Sequence, residues 1–190
     1  MPGRRKRCVN AMSLWPETRR ALWLERDRRW AIALHRAADS AWLLPLLMAA
    51  SRLGDGALWY VAIALLPLLD TQGGARCALQ MTAVGLVNLL LYASLKRYVG
   101  RPRPFVDCPG IRACTRALDR YSFPSGHMLH ASAFGLLLAA HHPALAAPLL
   151  AFALLVAASR VVLGLHYPSD VVAGAATGLL TAGLALAISG

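Results

Sequence analysis

The sequence predicts an all-α protein: a polytopic transmembrane helical bundle of about five to six spans, preceded by an amphipathic interfacial helix. Three observations carry that expectation. Hydrophobic residues make up 57% of the 190 residues, and mean hydropathy is +0.50, where soluble domains sit nearer about 45–50% apolar. Apolar runs of span or near-span length alternate with Gly, Pro and charge. The basic residues are clustered: ten of the twenty lie in Met1–Arg36, seven between Lys96 and Arg120, and only Arg160 follows. The net charge of +11 would suit a nucleic-acid binder, but the apolar content excludes a soluble one. No nucleic-acid partner is therefore expected. A membrane protein with basic ends satisfies both facts.

Taken in order, Met1–Val9 is basic, has almost nothing to bury, and is expected to be disordered. No apolar h-region directly follows it, so no signal peptide is read. From Glu17 to Arg36, Leu22, Trp23, Trp30, Ile32, Ala33 and Leu34 are interleaved with arginines. That predicts a helix at the membrane surface, with Trp anchors and snorkelling Arg side chains. Residues 1–38 are thus set apart from a transmembrane domain over 39–190. Ser40–Ser51 is apolar but too short to cross a hydrocarbon core of about 30 Å. It reads as re-entrant, as interfacial, or as a span extended by its flanks. Ala57–Leu69, Cys77–Leu95, Gly126–Ala140, Ala144–Ala158 and Val171–Ile188 are the five predicted spans.

If those helices alternate in direction, the loops 96–121 and 160–170 emerge at one membrane face, and Phe123-Pro124-Ser125-Gly126-His127 opens a helix there too. Three distant segments then converge. The first brings Lys96, Arg101 and Arg103. The second brings Ser125, Gly126 and His127, at a helix start whose free N–H groups favour an anion. The third brings Ser159, Arg160, His166 and Asp170. Two histidines, a carboxylate and cations form a set suited to phosphoryl transfer. Arg holds phosphate oxygens bidentately and Lys adds a point charge. One histidine can attack phosphorus, a carboxylate on its other ring nitrogen can set its tautomer, and a second histidine can protonate the leaving oxygen. The cations do the electrostatic work, so no metal and no cofactor are expected. None of Cys8, Cys77, Cys108 and Cys114 has C-x-x-C spacing, which argues against zinc.

Lys96-x6-Arg103-Pro104, then Pro124-Ser125-Gly126-His127, then Ser159-Arg160-x5-His166-x3-Asp170 resembles the type 2 phosphatidic acid phosphatase family, whose superfamily includes the vanadium haloperoxidases. The resemblance covers roughly Ala57 to Ile188, with all three motifs in order and in spacing. It implies that His166 is the nucleophile and Asp170 its orienting partner. It makes His127 the acid for the leaving group and the base for the hydrolytic water. Lys96, Arg103, Ser125, Gly126 and Arg160 would bind phosphate. The expected substrate is a membrane lipid phosphate or diphosphate: phosphatidate, phosphatidylglycerophosphate or polyprenyl diphosphate. A vanadate-dependent haloperoxidase and a non-catalytic lipid-phosphate binder or transporter are the alternatives.

Two signals bear on sidedness in a bacterial-type inner or plasma membrane. The basic N-terminus favours the cytosol for the end that carries it. Cys108 and Cys114 share the site loop and would bridge only in an oxidising compartment. With family members on lipid carriers often facing outward, and a tilted segment from Arg36 to Gly56 able to cross, the site is expected to face the periplasm or exterior.

Overall fold

The computed structural model describes residues 17–189. Eight α-helices follow in order: α1 (Glu17–His35), α2 (Leu43–Leu53), α3 (Ala57–Leu69), α4 (Gly74–Val99), α5 (Pro104–Asp107), α6 (Gly126–His141), α7 (Ala146–Val162) and α8 (Pro168–Ser189). No strand occurs among the described residues. The expected disorder of Met1–Val9 falls outside them. The five predicted spans correspond to α3, α4, α6, α7 and α8, extended by a few residues at most ends. The helix boundaries sit where the chain supplies breakers: Gly73 before α4, Pro104 opening α5, Pro143 before α7 and Pro168 opening α8.

Helix α6 is the hub. It packs on α8, α7 and α4, and its Leu129, Ala133 and Leu137 are fully buried. α8 lies against it through small residues. A Cβ on Gly174 would sit 2.5 Å from the Ser125 carbonyl oxygen, and one on Gly178 would sit 2.2 Å from that of Leu129. Only glycine allows the two backbones this close, the usual device for helix pairs in lipid. Outside this core, Leu79, Leu90, Leu154, Leu180 and Ile188 are exposed, an apolar belt that fits a bilayer. Three helical stretches are long and apolar enough to cross alone: Gly74–Asp107, Pro143–Val162 and Pro168–Ser189. α2 and α3 pass the same test only as a pair, bent by 52° at the Gly54-Asp55-Gly56 break. α6, at 16 residues, is enclosed by its neighbours.

Ser40–Ser51 is too short to cross by itself. The α2 residues Leu43, Leu44, Leu47 and Met48 pack with Val162, Leu163, Leu165, Phe105 and Cys114, all at the end where α4 and α7 finish. α1 lies at that end as well. It docks through the stripe Asp27, Ala31 and His35, each buried, while Leu22, Trp30 and Leu34 are exposed. His35 Nδ1 donates to the Val162 carbonyl at 2.8 Å and Nε2 accepts the Arg112 N–H at 3.1 Å. The inward stripe is therefore polar and hydrogen-bonded rather than the apolar face of an ordinary amphipathic helix. Cys108 and Cys114 are free thiols: the Cys108 sulfur meets the Tyr167 hydroxyl at 3.5 Å and that of Cys114 meets the Arg112 carbonyl at 3.9 Å.

Candidate active site

The end of the bundle that carries the C-termini of α4 and α7 and the N-termini of α6 and α8 collects every residue singled out above. Lys96, Arg103, Ser125, His127, Arg160, His166 and Asp170 are all buried there. Arg160 sits in the last turn of α7, and its backbone carbonyl takes the N–H groups of Leu165 and His166, which turns the chain back so that His166 faces inward. Asp170 sits in the first turn of α8. Its Oδ2 accepts the Tyr167 N–H at 2.8 Å, and its backbone carbonyl accepts the Ser125 N–H at 3.0 Å. The second and third motifs are thereby hydrogen-bonded to each other.

His166 differs from expectation in one respect. Its Nδ1 donates to the Ser122 carbonyl at 2.7 Å, while Asp170 Oδ2 lies 3.7 Å away, beyond hydrogen-bond length. The tautomer is therefore set by a backbone carbonyl, and Asp170 acts on the ring as a nearby charge. With the proton on Nδ1, Nε2 carries the reactive lone pair, and it accepts a hydrogen bond from Arg103 Nη1 at 3.3 Å. Burial, then the charges of Arg160, Arg103 and Lys96, push the His166 pKa well below the ordinary histidine value. The imidazole is neutral, as a nucleophile must be.

Asp170 is itself held. Arg101 Nη1 donates to its Oδ1 at 2.8 Å and Nη2 donates to Asp27 of α1 at 2.7 Å. Ser169 N–H also donates to Asp27, at 3.0 Å, and the Arg101 guanidinium lies 3.7 Å from the Tyr167 ring centroid. Arg101, one of the cations that the first loop brings, is a half-buried clamp between two carboxylates.

The cations Lys96 and Arg103 share a partner the sequence did not mark, Asp119. Arg103 Nη2 donates to its Oδ1 at 2.9 Å, and Lys96 and the Tyr92 hydroxyl both donate to its carboxylate. Burial alone would raise the Asp119 carboxyl. Hydrogen bonds from Lys96 and Tyr92, with the charges of Lys96 and Arg103, hold it down at about 2. Its position between Lys96 and Arg103 shows that an oxyanion fits there.

The rest of the site is only partly paired. Ser125 Oγ, His127 Nε2 and Arg160 Nε are buried without a hydrogen-bond partner. Ser125 is the N-cap of α6, yet its hydroxyl makes no cap bond, although N-cap hydroxyls ordinarily do. Gly126 is needed for space, since a Cβ would come within 2.6 Å of the Tyr92 ring. Arg160 Nη1 reaches Ser51 at the end of α2, and Asp55 of the α2–α3 break lies against His127 Nε2, off the axis of a hydrogen bond. Ser51 and Asp55 lie outside the three motifs. The only sign of them in the sequence is a Gly-Asp-Gly interrupting two short apolar runs.

A cavity of about 470 Å³ opens beside His127 between α3, α4 and α6, lined by Trp59, Ile63, Leu86, Leu89, Phe134 and other largely apolar groups. His130, at its edge, is a satisfied histidine: Nδ1 donates to the Gly126 carbonyl at 2.9 Å. His141 and His142 lie at the far end of α6, near Gln80 and Asp70 respectively.

A family model described as the PAP2 superfamily matches residues 76–190. A decaprenylphosphoryl-5-phosphoribose phosphatase of Mycolicibacterium smegmatis is 37% identical over 133 residues, covering 66% of this chain and 68% of its own length. A phosphatase of the same description from Mycobacterium tuberculosis is 31% identical over 175 residues, covering 87% and 94%. Among solved structures, a transmembrane PAP2-type phosphatidylglycerolphosphate phosphatase from Bacillus subtilis is similar with a TM-score of 0.70 and 26% identity, over 85% of each chain.

Proposed function

Because the chain belongs to the PAP2 superfamily and is a membrane lipid phosphatase, we propose that it hydrolyses a lipid phosphomonoester or diphosphate through phospho-His166, without a metal. One observation carries this reading: two buried donors, the Ser125 hydroxyl and Arg160 Nε, lack hydrogen-bond partners in the site that holds His166 Nε2. Each such atom costs about 1–3 kcal/mol when left unsatisfied, and a phosphate group supplies the missing acceptors. His166 Nε2 attacks phosphorus. Arg103, Lys96 and Arg160 neutralise the equatorial oxygens. His127 protonates the leaving oxygen and then takes the proton of the water that frees His166. Asp170, 3.7 Å from Nδ1, stabilises the positive charge that the ring acquires. The lipid chain lies in the apolar cavity beside His127, which suits a tail that stays at the bilayer while the headgroup reaches the site.

The test is phosphate release by the purified chain in detergent micelles. The panel holds phosphatidate, phosphatidylglycerophosphate, a polyprenyl diphosphate and a polyprenyl-linked sugar phosphate, in excess EDTA. Turnover of at least one lipid, abolished in His166→Ala, is expected. A requirement for added divalent metal would overturn the metal-free chemistry, and full activity of His166→Ala would overturn the nucleophile.

On sidedness, we infer that the site shares the side of the basic N-terminal stretch. Helices α1 and α2 both pack at the site end, and the positive-inside tendency makes that side cytosolic. The outward expectation leaned on a Cys108–Cys114 bridge and on a crossing by Arg36–Gly56. The two cysteines are free, and α2 returns to the site end. Arg112→Cys in a cysteine-free background, probed on intact cells with an impermeant maleimide, decides the side. Labelling is expected only after lysis, and labelling of intact cells would restore the outward orientation.

A further inference from the structure

The 52° bend between α2 and α3 sets the Gly54-Asp55-Gly56 turn on the His127 ring. A Cβ on Gly54 would meet Val156 Cγ2 at 3.3 Å and His127 Cδ2 at 3.4 Å, so the turn is packed against the Cδ2–Nε2 edge of the imidazole. Asp55 follows directly, and its carboxylate touches Nε2. The other groups acting on this ring are Arg160 of α7, His166 of the α7–α8 loop, Arg103 of the α4–α6 loop and His130 of its own helix; Tyr92 of α4 and Gly56 line the same cavity. All of these are cationic or neutral. Asp55 is the carboxylate in contact with His127.

We propose that Asp55 is the positioning partner of His127, so that the site holds two histidine–carboxylate pairs, one for the nucleophile and one for the acid. This rests on the reading of His127 as the acid. A histidine that gives up a proton must first carry two, and among Arg160, Arg103 and His166 the doubly protonated ring needs an anion. Asp55 supplies it at Nε2, which leaves the Nδ1 proton for the substrate. As the His166 Nε2–P bond forms and the P–O bond breaks, the electron pair stays on the leaving oxygen, which takes the Nδ1 proton. The ring is then neutral, with its remaining proton on Nε2 toward Asp55. Nδ1 is now the base for the water that attacks phospho-His166. Asp55 thus fixes one nitrogen while the other gives a proton and later takes one.

The measurement compares kcat/KM for Asp55→Asn on two leaving groups, since kcat/KM stops at phosphoryl transfer to His166. A short-chain phosphatidate leaves as a strongly basic alkoxide and needs the proton. p-Nitrophenyl phosphate leaves as a weakly basic phenolate and scarcely needs it. Asp55→Asn should lower kcat/KM for the alkyl substrate by about 10²-fold and for the aryl substrate by less than about threefold, with Asp55→Glu recovering much of the loss. A merely structural Asp55 predicts parallel losses on both substrates. Parallel losses, or none, would overturn the proposal. His127→Ala serves as the reference: if it shows no leaving-group dependence while His166→Ala is dead, the acid assignment fails and the role of Asp55 falls with it. If Asp55→Asn alone lacks the dependence, only Asp55 is excluded.

Discussion

The surroundings of His166 and of His127 contrast atom by atom. Around His166, Nδ1 is bonded to Ser122, and both Asp170 oxygens and all three Arg103 nitrogens have partners. A chain of side chains runs outward through Arg101 to Asp27 on α1. Around His127, the Ser125 hydroxyl and Arg160 Nε have none, the imidazole Nε2 has the Asp55 carboxylate against it, and the neighbourhood opens into the apolar cavity. The difference teaches where each kind of order is useful. A nucleophile that must stay neutral and aligned benefits from a shell that needs no reorganisation at the moment of reaction. Of the groups proposed to bind the phosphate, Ser125 and Arg160 keep free valences, and the fold tolerates their cost because substrate removes it.

The largest expected effect lies in the closed half. Arg101→Gln strands Asp170 and Asp27 in the interior, and breaking a buried pair costs about 3–5 kcal/mol, so the thermal midpoint in detergent should fall sharply. Asp27→Asn should be milder but telling: kcat falls with KM near wild type, because Asp27 sits behind Arg101 and the catalytic carboxylate. In a double-mutant cycle, Asp27→Asn and Asp170→Asn should couple by about 0.5–3 kcal/mol. Additive effects would mean that α1 does not act on the site.

Ser125→Ala sharpens the contrast from the open half. It deletes an unpartnered hydroxyl, so stability should hold or rise while the affinity for vanadate, a phosphate mimic, falls by about three- to tenfold, the value of one hydrogen bond. A loss of stability comparable to that of Arg101→Gln would erase the distinction between the two halves.

The smallest effect is the acid limb. Asp119 titrates at about 2 in the folded chain, against about 3.9 for an unfolded Asp. Its folded value is depressed, so its contribution is full above about pH 4 and is lost as pH falls through about 2. The stability difference between wild type and Asp119→Asn should shrink as pH falls from about 4 toward 2. A difference that persists undiminished from about pH 5 to about 2 would mean that Lys96 and Arg103 do not hold the carboxylate this way.

The helices, their direction and the gathering of Lys96, Arg103, Ser125, Gly126, His127, Arg160, His166 and Asp170 at one end were legible in the chain. Span length, breaker residues and alternation are local or additive properties, and three spaced motifs fix which ends meet. What the tertiary structure decided was the partnership of each charge. Asp27, Ser51, Asp55 and Asp119 look like ordinary loop or helix-surface residues in sequence. Their bonds reach Arg101, Arg160, His127 and Lys96 across loops and helices, and the value of a buried charge depends on which partner folding brings to it. The Ser122 carbonyl that sets the His166 tautomer has no sequence signature at all, since every residue carries one. The sequence alone therefore determined which side chains could do the chemistry, while packing determined which are held rigid and which stay free for the substrate.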